Sequence, residues 1–424
     1  MYQYTSTHNN PGSIASHVSL NDNSAARLNT PALEAMVNAK LTGNLMVNKV
    51  RTQMKKLLSL LSVLIVAVLL MTSCGNTATR VPTSTVPVPT ATPTPSATAT
   101  LPPSATATNE LPISPGASAY LEEALDIMQN KGINRLQLDW EAVRAEAFRR
   151  AQHAQTPADT YSAIRYALRE AGGQHSSFRT PDSAAQVQQA TVSDSPAPRG
   201  KLLLGKFGFI AIEGFESVMP EEQAKYATTV QQLIRDLDAQ DPCGWIIDLR
   251  EDTGGSTWPM LAGLGPILGE GKAGAFVDPD GYEEDWSYQD GQALLGDQVA
   301  VKVNGTAYEL KAASPPVAVL TGAYTASAGE AIVVAFRGRP HTRSFGLYTF
   351  GNSTANEVFL LSDGAWIALT TAVYADRTGQ TYGDRIYPDE LVDEARKFTF
   401  IMEEAIPQPA IDWLMSQPAC TAQK

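Results

Sequence analysis

Residues 116–424 of this 424-residue chain are predicted to form an α/β domain, α+β in detail with a mixed sheet, fronted by a helical N-terminal lobe. Two observations lead there. Between 117 and 171, apolar residues recur three and four apart, the period of an amphipathic helix. Beyond 200, short apolar runs alternate with helical stretches, an order that implies a partly parallel sheet with helices packed on it.

Each element follows from its own residues. ASAYLEEALDIMQN, LDWEAVRAEAFRRAQ and TPADTYSAIRYALREAG are the lobe helices, and the lobe spans 116–182. The third opens on Thr156, Pro157 and Asp159, a cap-like residue followed by proline and an early acid, and closes on Gly172 and Gly173. In the core, expected over 200–420, GKFGFIAIEGF reads as a strand and EEQAKYATTVQQLIRDLDAQ as an amphipathic helix. CGWIIDLR is a short buried strand, STWPMLAGLGPILG a helix broken by Gly and Pro, and PPVAVLT a strand leading into an apolar helix that begins at Ser327. EVFLLSDGAWIALTTAVYA reads as a hairpin turning at Ser362, Asp363 and Gly364.

Upstream, MKKLLSLLSVLIVAVLLMTSCGN begins at Met54 with two lysines. An apolar run over 57–70, broken only by Ser59 and Ser62, ends in small residues before Cys74. It is short for a membrane span and has the layout of a secretory signal over 54–74. Its Met-Thr-Ser-Cys ending resembles the bacterial lipobox, which implies that Cys74 is lipidated and anchors the chain to a membrane; an uncleaved anchor is the other reading. Either way the rest of the chain is expected outside the cytoplasm. Residues 1–53 are polar and aperiodic, and are expected to be a misplaced start or a disordered extension. Residues 75–115, rich in Pro, Thr and Ser, lack the apolar content to bury anything and read as a linker or stalk.

Residues 116–424 hold 25 Lys and Arg against 41 Asp and Glu, a formal charge of −16. No basic run or basic-aromatic stripe appears, which argues against nucleic acid and against adhesion to anionic lipid. Beyond Cys74 only Cys243 and Cys420 remain; they can pair in an oxidising compartment or stay as buried thiols. No Cys/His spacing supports a metal site.

Three short stretches could carry chemistry. Ser327-Ala328-Gly329-Glu330 fits a capping box, yet a helix N-terminus also offers free amides and a positive dipole end beside the hydroxyl. A nucleophilic serine needs a base. The histidines after the signal are His153, in a helix connection, His341, in a turn, and His175, in GGQHSSF, where paired glycines free the backbone to present a side chain. DLREDTGGS, 248–256, joins a buried strand to a helix through two glycines whose turn can bare amides to an anion. A phosphate loop is excluded there, because no Lys-Ser or Lys-Thr follows the glycines.

GGQHSSF, IIDLREDTGG, the strand into YTASAGEAI, LYTFGNST and LSDGAWIALTTAVYADRTGQ together resemble, in order, the tail-specific and tricorn-like serine peptidases of family S41, over about 120–392. The resemblance implies an S41-like α/β core behind the helical lobe, with the catalytic cleft between them. It implies Ser327 as nucleophile and an oxyanion hole from the Ala328 amide with Gly254 or Gly255. The processing branch carries a lysine base after Phe-Gly, where this chain has Asn352, so the tricorn-like branch supplies the expectation that His175 is the base. Asp384, in TYGDRIYPDE, falls near the family's third acid, and Glu330 would cap the helix or contact substrate. The interval between QHSSF and GKFGFIAIEGF is too short for a PDZ module. The chain is accordingly expected to be an exported, lipid-anchored serine endopeptidase acting on peptides, with no cofactor and no metal. A non-catalytic lipoprotein that binds peptides is the alternative, motivated by Asn352, by Gln174 before the histidine, and by the insecure third acid.

Overall fold

The computed structural model describes residues 111–189, 196–392, 398–401 and 404–422. The expected signal, Cys74 and the Pro/Thr/Ser tract up to residue 110 lie outside them. Three helices open the described chain: α1 (Pro115–Lys131), α2 (Trp140–Arg150) and α3 (Tyr161–Gly172). Their starts are capped by side chains, as the sequence demands. Ser114 accepts from Ala117 N at 3.2 Å, Asp139 from Ala142 N at 3.1 Å, and Thr156 with Asp159 forms a box on the 3-10 turn before α3. Their apolar faces, including Leu121, Leu125, Met128 and Ile164, pack together and onto Ile367 and Leu369.

A short β1 (Ser177–Arg179) and α4 (Pro181–Gln189) follow. The core then runs β2 (Arg199–Leu203), β3 (Phe207–Ala211), α5 (Pro220–Asp238), β4 (Gly244–Asp248) and α6 (Thr257–Leu268). A meander comes next: β5 (Gly271–Val277), β6 (Glu283–Gln289), β7 (Gln292–Leu295) and β8 (Gln298–Lys302). After it stand β9 (Val317–Thr321), α7 (Ala328–Phe336), β10 (Thr342–Gly346), β11 (Thr354–Leu360), β12 (Trp366–Asp376), β13 (Thr381–Tyr382) and β14 (Glu390–Leu391). The chain closes with the hairpin β15 (Phe398–Ile401) and β16 (Glu404–Pro407), then α8 (Gln408–Ser416) and α9 (Pro418–Thr421).

One six-stranded sheet has the order β14-β10-β9-β4-β3-β2, parallel except for β2. Its central strands β3, β4 and β9 are buried at every position, as a parallel sheet covered on both faces requires. Alternation sorts the side chains. Trp245, Ile247, Val317 and Val319 face a core shared with Ile234, Leu264 and Val333 from the helices. Ile246, Ala318 and Leu320 face the opposite core with Phe345, Ile411 and Leu414. Cys243 and Cys420 form a disulfide there, with Cα atoms 4.8 Å apart, fastening α9 to the residue before β4.

The second sheet has eight strands in the order β1-β12-β5-β6-β7-β8, with β11 and β13 also on β12. The β11–β12 hairpin turns at Ser362, Asp363 and Gly364, where Leu361 N donates to Ala365 O at 2.8 Å. Sequence reading did not anticipate the β5–β8 meander. Its strands alternate weakly and carry runs such as Glu283, Glu284 and Asp285, so their two-residue period is hard to see. The fold is α+β with one mixed and one antiparallel sheet.

Candidate active site

β4 and β9 are parallel neighbours, so the loops leaving their C-terminal ends emerge at the same edge. The first loop carries Asp252, Gly254 and Gly255; the second leads to Ser327 at the mouth of α7. They are stitched together by Ala326 N donating to Asp252 O at 2.9 Å and Thr325 Oγ1 donating to Leu249 O at 2.7 Å. Both glycines have φ of +107°, and a Cβ on Gly254 would lie 2.9 Å from Ser327 Cβ. Only glycine tolerates both that backbone and that approach.

Ser327 has φ 52° and ψ −115°, a conformation that a side-chain-bearing residue adopts only under strain of about 1–3 kcal/mol. Such strain is found where a nucleophile is pushed out of a tight strand-to-helix turn. The turn is held by Glu330, fully buried, which completes a capping box with Ser327 and accepts its N–H at 2.9 Å. The same carboxylate accepts from Gly351 N at 3.0 Å, Asn352 N at 2.8 Å and the Thr349 hydroxyl. Burial pushes the Glu330 pKa up while these four donors oppose it. Asn352 is thus pinned through its backbone to the Ser327 turn.

His175 arrives from a distant part of the sequence. α3 ends at Gly173, φ +70°, and the loop is fixed as Asn356 Nδ2 donates to His175 O at 3.0 Å and Thr370 N to Ser176 Oγ at 2.9 Å. This sets His175 Nε2 3.1 Å from Ser327 Oγ across 152 residues of chain. Its other nitrogen, Nδ1, stands 2.7 Å from Thr354 Oγ1. For Ser327 to donate to Nε2, the ring proton must be on Nδ1, where Thr354 can accept it. Burial disfavours the imidazolium and pulls the His175 pKa down to about 4, so the ring is neutral at pH 7.

The sequence expectation for a third acid needs correcting. Asp384 is exposed and makes no hydrogen bond to His175 among the described residues; its carbonyl accepts from Ser353 Oγ and its carboxylate lies beside Gly351. Thr354, at the start of β11, occupies the orienting position instead. Nothing in sequence distinguished this threonine, since its role depends on β11 and the α3–β1 loop meeting on β12. Tyr374 was missed for the same reason: it is buried on β12 close to Ser327, and burial pushes its phenol pKa up.

Of the amides expected to form the oxyanion hole, Gly254 N–H donates to Asp252 Oδ1 at 3.0 Å. The amides of Gly255 and Ala328 carry no hydrogen bond among the described residues. His153 is exposed, and His341 sits in a turn at φ +53°, away from this chemistry. Among the described residues no group of His, Cys, Asp and Glu could hold a metal ion, and no helix is long and apolar enough to cross a membrane.

The sequence over 206–392 matches the model of peptidase family S41. Over 306 residues the chain is 26% identical to the nisin-resistance protein of Lactococcus lactis subsp. lactis, covering 72% of this chain and 89% of that one. Among solved structures, a lipoprotein from Streptococcus agalactiae superposes with a TM-score of 0.59 at 24% identity, over 72% of this chain and 97% of that chain. The photosystem II D1 C-terminal processing protease gives 0.50 at 16% identity, over 68% and 95%. At these identities the two structures speak to the fold alone. The matched stretch contains the Gly254–Gly255 turn, Ser327 and Glu330, and over it this chain is similar to the peptidases of family S41.

Proposed function

We propose that this protein is a serine endopeptidase in which Ser327 attacks the peptide carbonyl and His175 is the general base. The observation that carries the reading is the 3.1 Å approach of His175 Nε2 to Ser327 Oγ, two residues that the fold brings together from well-separated parts of the chain. Neutral His175 takes the hydroxyl proton as Oγ bonds to the carbonyl carbon, then gives it to the leaving amine. Thr354 keeps the ring in the required tautomer. The oxyanion is received at the Gly255 and Ala328 amides, the latter at the positive end of α7. Water then hydrolyses the acyl-enzyme with His175 again as base.

The match to the peptidase family S41 model supports peptides as substrates, and the signal-like segment ending at Cys74 supports export with a lipid anchor. The test is digestion of a diverse peptide mixture by a soluble 111–424 chain, read by mass spectrometry beside Ser327→Ala and His175→Ala. Cleavage by the parent alone is expected. Binding without turnover by all three proteins, each folded, would replace the peptidase with a peptide-binding lipoprotein. Radiolabelled lipid incorporation in cells, abolished by Cys74→Ala, tests the anchor.

A further inference from the structure

Asp252 has no part in the proton transfers above, yet it is 0% exposed and stands between the two turns of the site. Its Oδ1 accepts the Gly254 N–H at 3.0 Å and its carbonyl accepts the Ala326 N–H at 2.9 Å. Its side chain abuts α7 so closely that a Cβ on Gly329 would lie 2.8 Å from its Cγ. Oδ2 is buried with no hydrogen-bond partner, and no cation pairs with the carboxyl among the described residues. One neutral donor does not compensate a buried full charge.

We infer that Asp252 is a positioning residue that works as a neutral carboxylic acid, holding the glycine turn in register with the Ser327 turn. The inference rests on the serine-peptidase reading for its catalytic consequence, but not for the protonation state. Burial pushes the Asp252 pKa well up, with the Gly254 hydrogen bond opposing. The neighbouring charges are otherwise committed. Arg250 pairs with Asp248 at 2.6 Å, Glu330 holds the Thr349–Asn352 loop, and Tyr226 on α5 is a buried phenol that Asp252 would repel if both ionised. An anion at 252 would draw in water and loosen the spacing between Ser327 Oγ and the amides of Gly255 and Ala328.

The experiment compares the parent with Asp252→Asn and Asp252→Ala. Two quantities are read: the infrared carbonyl band of a protonated carboxylic acid at pH 7, and the rate at which a fluorophosphonate labels Ser327. The parent should show the band and Asp252→Asn should lack it. The asparagine variant, which keeps the Oδ1 acceptor without charge, should label within about threefold of the parent. The alanine variant should be about 10- to 100-fold slower, the cost of misplacing reacting groups. Absence of the band from the parent overturns the inference, as does labelling of Asp252→Asn as slow as that of Asp252→Ala. A parent that shows the band but does not label would refute the serine-nucleophile reading and leave Asp252 neutral.

Discussion

Thr354 Oγ1 stands 2.7 Å from His175 Nδ1, so the histidine facing Ser327 is oriented by a hydroxyl and not by a carboxylate. A carboxylate would stabilise the imidazolium formed as Ser327 attacks; a neutral hydroxyl fixes the tautomer but adds little charge compensation. Thr354→Val removes the hydroxyl at constant shape. A net hydrogen bond of about 1 kcal/mol corresponds to a loss of kcat of about fivefold. Thr354→Ser should retain most of the activity. Steady-state kinetics on a cleaved peptide would check both, and full activity in Thr354→Val would show that the contact does not orient the base.

Burial acts on the same histidine, and its sign can be read in two ways. With the pKa at about 4, below the ordinary value near 6.5, the base stays unprotonated well into acid. The acid limb of kcat/KM is therefore expected near pH 4. Stability follows the linked protons. Between 6.5 and about 4 the unfolded chain binds more protons at this residue than the native one, so His175 makes stability fall as pH drops through that window and adds no further loss below it. Urea unfolding of the parent and His175→Gln across pH 4 to 7 should show the difference narrowing in the variant. An acid limb near 6.5 would mean that the imidazole is far more solvated than its surroundings indicate.

Much of this site could be read from sequence, and the reason is local. Ser327, Glu330 and the Gly254–Gly255 turn lie within contiguous words whose spacing constrains them: a strand end, a glycine turn, a capping box. Paired glycines marked His175 as a presented side chain, but its assignment as base came from the resemblance to the tricorn-like peptidases. Thr354, Tyr374 and Asp252 could not be assigned roles. Each acts through a partner far away in sequence or on another strand, and a threonine at a strand start, a tyrosine in an apolar run and an acid before a glycine turn are ordinary. Asp384 shows the converse error, where proximity in an expected motif was no guide to proximity in space. The Cys243–Cys420 pairing was left open for want of a distance, which the packing of α9 against the start of β4 supplies.

That disulfide closes a loop across 177 positions, from the strand that leads to the Gly254–Gly255 turn to the C-terminal helices. Denying the unfolded chain that cross-link should cost about 3–5 kcal/mol. Cys420→Ala, or the parent under reductant, is expected to melt lower. Because β4 is held by β3 and β9 on either side, residual activity at low temperature should persist. Thermal unfolding with and without reductant measures this. Equal melting of the oxidised parent and Cys420→Ala would mean that α8 and α9 dock without covalent help.

Strain at Ser327 gives a stability prediction opposite in sign to its effect on activity. Ser327→Gly removes the proposed nucleophile but relieves the φ 52°, ψ −115° conformation, and glycine at a helix cap costs only a few tenths of a kcal/mol against serine. After the extra freedom that glycine gives the unfolded chain, a net gain of about 1 kcal/mol is expected. Ser327→Ala keeps the strained backbone and loses the hydroxyl, so it should be the less stable of the two inactive variants. Matched melting points for the alanine and glycine variants would show that the turn, and not the residue, bears the strain.

Glu330 ties that strained turn to the loop that follows β10, and its chemistry sets a strict test. Both oxygens accept: Oε2 from the amides of Ser327 and Asn352, Oε1 from the Gly351 amide and the Thr349 hydroxyl. Glutamine keeps the shape but turns one acceptor into a donor, which must then face N–H or O–H groups already aimed at it. The cost is that of buried unsatisfied donors, about 2–4 kcal/mol. Glu330→Gln should therefore be destabilised and should lose kcat more than it changes KM, because the displaced group is Ser327 itself. Aspartate should not rescue it, since its carboxyl falls a methylene short of the Gly351 and Asn352 amides. Rescue by aspartate would mean that negative charge near the nucleophile is what Glu330 supplies, and the four hydrogen bonds would be incidental.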